Sequence, residues 1–67
     1  MMKTFGKILR LKRKKRGLTQ EDLAKKIGVC LNSICLWERG LSVPGLTSLI
    51  NLADVFKCSI DELAGRG

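Results

Sequence analysis

Apolar residues recur at helical spacing along most of the chain. Phe5, Ile8 and Leu9 follow the i, i+3, i+4 rhythm of a helix with one buried stripe, which predicts a first helix over residues 3–16. Lys12 and Arg13 continue that stripe, and Lys12 can lay its stem along the core while its charge stays in water. Leu11 falls off the stripe and is expected to be partly exposed. Gly17 stops the helix after a basic last turn, where the helix dipole favours positive charge. Leu18 brings the chain back to the core.

Residues 18–40, LTQEDLAKKIGVCLNSICLWERG, predict two short helices and a sharp turn. Thr19 is the N-cap of the first, with Asp22 at the capping-box position. Leu23, Ala24 and Ile27 form its buried face, and Gly28 ends it. The second helix starts at Cys30 or Leu31 and runs to Gly40. At about 100° per residue, Ile34 and Trp37 share one side, flanked by Ser33 and Glu38, while Leu31, Asn32, Cys35 and Leu36 point the other way. Two helices joined by so short a turn cross steeply, which is helix-turn-helix geometry over about residues 19–39.

Leu41–Gly45 is a connecting loop, and Pro44 marks the approach to a fourth helix over Leu46–Phe56. Leu46, Leu49, Ile50, Ala53 and Phe56 are its apolar positions. Ser59 and Glu62 predict a capping box for a last short helix anchored by Ile60 and Leu63, and residues 64–67 are expected to fray. The fold class is therefore all-α, a compact five-helix bundle. Sixty-seven residues make one domain, 1–67, burying about 60% of its unfolded surface.

Charge changes the picture more than composition does. The net charge is +7, and all of the excess lies in residues 1–16, which hold Lys3, Lys7, Arg10, Lys12, Arg13, Lys14, Lys15 and Arg16 and no acid. A polyanionic partner on one side of the molecule would account for this, and a solvated helix face is the bland alternative. No apolar run reaches the roughly 18 residues of a membrane span, and the N-terminus lacks a signal-peptide core, so a cytoplasmic location is expected. Cys30, Cys35 and Cys58 cannot all pair, and without histidine they make a poor zinc site; reduced thiols and no metal are expected. No cofactor motif, small-molecule site or catalytic constellation is visible, so an enzyme is not expected.

The runs LTQEDLAKKIGV, SICLWERG and VPGLTSLINLADVFKCSIDEL resemble the lambda/434 repressor and Cro-like helix-turn-helix family, over roughly Phe5 to Leu63. The most specific matches are Thr19, Gln20, Leu23, Ala24, Gly28, Val29, Ile34 and the Trp37-Glu38-Arg39-Gly40 run. The resemblance implies a sequence-specific transcriptional regulator of bacterial or phage character. It would bind double-stranded DNA as a homodimer in the nucleoid or a phage-infected cell, and act by occlusion or recruitment at a promoter. The helix 31–39 would enter the major groove, with Leu31, Asn32, Ser33, Cys35 and Leu36 facing the bases. Gln20, Arg13, Lys25, Lys26 and Arg39 would meet phosphates. Arg13 and Glu38 would also form an ion pair joining the first helix to the recognition helix. The dimer contact would involve Leu41, Val43 and Leu63.

This sequence departs from the family at several of those positions. Leu31, Cys35 and Leu36 stand where polar base-reading side chains are usual, and the loop 41–43 carries no charge. Cys30 and Gly45 replace better caps, and Lys57 stands where glycine commonly closes the fourth helix. The apolar outward face keeps a second reading open, a protein-interaction module on the same fold.

Overall fold

Helix starts and stops written into the sequence divide the chain, and a computed structural model, describing residues 2–66, places five helices between them. They are α1 (Met2–Lys15), α2 (Gln20–Ile27), α3 (Leu31–Glu38), α4 (Leu46–Phe56) and α5 (Ile60–Leu63), with no strand among the described residues. Thr19 caps α2 through a complete capping box. Its Oγ1 accepts from the Asp22 amide at 3.0 Å, and the Asp22 carboxylate accepts from the Thr19 amide at 2.9 Å. That backbone amide, with the Thr19 hydroxyl, holds the Asp22 carboxyl below its ordinary pKa. Cys30 and Gly45 begin α3 and α4 with no side-chain cap bond.

Every helix contributes to one core: Phe5 and Leu9 from α1, Leu23, Ala24 and Ile27 from α2, Ile34 and Trp37 from α3, Leu52 and Phe56 from α4, and Leu63 from α5. Leu11 is exposed, as its place off the stripe requires. The rotation of α4 differs from expectation. Leu46 is 69% exposed and Ile50 44%, while Leu52 is fully buried. The sequence LTSLINLADVF is apolar around much of its circumference, so two stripes fit it about equally well. Docking against α2 and α5, rather than the helix's own pattern, selects the one through Leu52.

The C-terminal end also differs. Leu63 is fully buried and so cannot join a dimer contact. Ser59 Oγ accepts from the Glu62 amide at 3.0 Å, but the Glu62 carboxylate turns to Lys12 at 3.3 Å, leaving the box half made. Residues 64–66 do not fray. Arg66 N–H reaches the Asp61 carbonyl at 2.8 Å and Gly65 N–H the Glu62 carbonyl at 3.1 Å, a Schellman closure that ties the end down. Position 67 lies outside the described residues.

Two backbone features set the packing of α1 and α4. A Cβ on Gly6 would stand 2.6 Å from the Trp37 carbonyl oxygen and 2.7 Å from that of Glu38, so α1 lies directly on the end of α3. Each of the five helices is followed by one left-handed residue, and four of these are glycine; the fifth is Lys57, at φ 52°. Arg16 partly compensates, because its Nη2 donates to the Phe56 carbonyl at 3.0 Å and so satisfies the end of α4.

A left-handed side chain costs roughly 1–2 kcal/mol, and glycine returns part of that as unfolded-state entropy. Lys57→Gly should therefore stabilise the protein by about 0.5–1 kcal/mol, seen as a higher urea midpoint at unchanged m. Gly6→Ala should do the opposite. The gain of about 1 kcal/mol in helix propensity is outweighed by a clash with fixed backbone, for a net loss of about 2 kcal/mol. A thermal melt at or above wild type would show that α1 can shift away from α3.

Candidate nucleic-acid interface

Three helices meet at a single carboxylate. Glu38, the last residue of α3, accepts from Arg13 Nε at 2.6 Å and Nη2 at 3.1 Å. It also accepts from Gln20 Nε2, at the first turn of α2, at 3.1 Å. Arg13 Nη1 donates to the Leu18 carbonyl at 2.8 Å. Gln20 Oε1 in turn accepts from Cys35 Sγ at 3.2 Å. The two ionic side chains are only 9% and 4% exposed, so the pair is desolvated, and its hydrogen bonds fill the guanidinium edge.

This geometry sorts the sequence-derived residues. Arg13 is buried, and each nitrogen of its guanidinium already donates to Glu38 or to the Leu18 carbonyl. Of the two roles expected of it, the structure gives it only the ion pair. Gln20 and Arg39 line one open polar cleft together with Arg10, Arg13 and Glu38. Lys26 lies elsewhere, beside Arg16, Leu18 and Val55. Lys25 is exposed and 3.7 Å from Glu21 one turn away, a pair too solvated to fix it.

On α3, Leu31 and Asn32 are exposed, whereas Ser33, Cys35 and Leu36 are half-buried. Asn32 thus offers the freest amide on this face. Cys35 is partly occupied in holding Gln20. The three cysteines are free thiols, and among the described residues no group of acids and cysteines is placed to share a metal ion. No helix among the described residues is long and apolar enough to cross a membrane.

α2 and α3 are two short helices joined by a tight turn and pinned together through Gln20 and Glu38, and residues 9–63 match the family described as Helix-turn-helix. The chain belongs to the helix-turn-helix family. Among its relatives is the cryptic phage CTXphi transcriptional repressor RstR of Vibrio cholerae, 41% identical over 54 residues that cover 81% of this chain and 48% of that protein. The chain thus spans about half the length of that relative. An uncharacterised HTH-type transcriptional regulator of Bacillus subtilis, YazB, is 38% identical over 60 residues, covering 90% of this chain and 87% of the relative. In structure, the chain is similar to the c2 repressor of Salmonella phage P22, crystallised in complex with a synthetic operator. The TM-score is 0.88 and the identity 33%, over 94% of this chain and 96% of that one.

Two residues of this helix-turn-helix domain escaped the sequence reading. Gly6 looks unremarkable inside a helix until the neighbouring carbonyls are seen. Arg10 was counted only in the charge run, although it lines the cleft with Gln20 and Arg39. The spacing of Arg10 from Lys3, Lys7 and Lys14 was the signal available.

Glu38→Ala should leave a buried guanidinium and a half-buried amide without their partner, at a cost of about 3–5 kcal/mol in urea unfolding. The double change Arg13→Met, Glu38→Leu removes both charges and should recover most of that loss. A single variant within about 0.5 kcal/mol of wild type would mean the pair is solvated and contributes little.

Proposed function

We propose that this protein is a sequence-specific DNA-binding transcriptional regulator that seats α3 in the major groove. The observation that carries this is the position of Gln20 and Arg39 on one cleft beside the exposed face of α3. The first amides of α2 form an anion site at its N-terminus, suited to one phosphate. Arg39, exposed just beyond α3, is suited to a second. Between them Asn32 reads adenine, and Leu31 and Leu36 meet thymine methyl groups. Operator complexes of the related P22 repressor support this reading.

The protein acts as a homodimer on a two-fold site, since one half-site offers little interface. Leu41, Val43, Leu46 and Ile50 are the exposed apolar side chains suited to that contact. It works in the cytoplasm, on DNA, and carries out no catalysis. A second reading, docking of another protein on α3, is favoured by the apolar character of Leu31 and Leu36 on the outward face.

Selection from random duplexes decides between them. A recovered operator should bind with affinity that falls steeply with salt, by about 0.9 in log–log slope per phosphate contact. Asn32→Ala should cost about 1–3 kcal/mol and relax preference at one base pair. Uracil in place of the thymine that Leu36 meets should weaken wild type and leave Leu36→Ala unaffected. No enriched sequence, or affinity flat in salt, would reject the DNA reading and favour the protein partner.

A further inference from the structure

Four of the basic residues of α1 share one face of it. Lys3, Lys7, Arg10 and Lys14 are spaced by four, three and four positions, which at about 100° per residue confines them to a stripe about 60° wide. All four are exposed, and among the described residues none of the ion pairs formed includes them. Of the remaining bases in residues 1–16, Lys15 is exposed and lies off the stripe, and the other three are engaged. Lys12 pairs with Glu62, Arg13 with Glu38, and Arg16 closes α4.

The stripe is continuous with the proposed interface. Arg10 lines the cleft of Gln20 and Arg39, and it also lines a shallow depression with Lys7, Leu11 and Lys14 on the outer surface of α1. Leu11, 61% exposed, forms the apolar floor between those charges. Gly6 brings this helix onto the end of α3 without an intervening side chain, so the two surfaces keep a fixed relation. A row of cations beside a groove-reading helix matches the spacing and sign of a phosphate backbone, and an apolar floor suits deoxyribose.

We infer that Lys7, Arg10 and Lys14 on α1 form a second phosphate-binding surface that holds the duplex flanking the bases read by α3. The inference rests on the DNA-binding reading. It extends the contact beyond the helix-turn-helix and assigns three of the eight charges of residues 1–16 to the DNA outside the operator core.

The test uses the full chain and the selected operator as two duplexes, one with only the core and one with about ten added base pairs, one helical turn, at each end. Wild type should bind the long duplex more tightly and with a steeper salt slope. Lys7→Gln, Lys14→Gln together should remove about 1.8 from the slope on the long duplex, so that raising salt from about 50 to about 200 mM costs the variant about twelvefold less affinity than it costs wild type. The same variant should match wild type on the core duplex and in its thermal melt. Arg10→Gln should weaken both duplexes, because it belongs to the cleft as well. An unchanged slope and unchanged dependence on flank length in the double variant would make the stripe a solvated face and overturn the inference. Equal losses on both duplexes would do so too, as they mark a diffuse field rather than a contact. If wild type bound neither duplex, the functional reading itself would fall.

Discussion

The Arg13–Glu38 pair is the constraint on which the rest of this small domain turns. It joins α1 to the end of α3, and through Gln20 the same carboxylate fixes the start of α2. An eight-residue helix does not hold itself together in water. α3 also lacks a side-chain cap and has neither an acid in its first turn nor a base in its last. Its place depends on Ile34 and Trp37 in the core, on the Gly6 contact, and on Glu38. The desolvation of two charges is compensated only because each has several well-placed partners.

That dependence frees the outward face. Since no stabilising contact of the core is made by Leu31 or Asn32, these positions can be set by the partner rather than by the fold. Cys35 is the exception. Its thiol donates to Gln20, so a change there would also move a side chain at the start of α2. The apolar residues of α3 therefore divide: Ile34 and Trp37 serve the core, while Leu31 is not required by it.

The sequence made helix ends legible where they carry local chemistry. Thr19 with Asp22, Gly28 and Gly17 act within one turn of themselves, so their effect is visible without tertiary structure. The left-handed Lys57 was foreseeable only from the resemblance, because it stands where the family commonly has glycine. What could not be read depends on a distant neighbour. The rotation of α4 is degenerate in its own pattern, and Gly6 matters only because of the carbonyls of Trp37 and Glu38. Glu62 fits a capping box, yet a lysine fifty residues away in sequence draws its carboxylate off. Among the site residues, charge alone could not separate Arg13, which is buried, from Arg10, which is not.

The division of labour among the bases of α1 follows from this geometry. Arginine holds its charge under desolvation and presents a planar fork, so it suits the internal position against Glu38, where a lysine ammonium could not reach two carboxylate oxygens and a carbonyl together. The lysines lie outside, where a flexible, strongly hydrated ammonium costs little to leave free and can follow a backbone without fixed geometry. Side-chain ordering on binding is a cost for each lysine. The rigid seating of α1 on α3 removes the larger cost of ordering the backbone that carries them. A basic tail of the same charge would have to lose that freedom at each encounter. Packing these charges on a core helix thus makes the interior contacts of Gly6 and Arg13 fix the geometry of the charged surface.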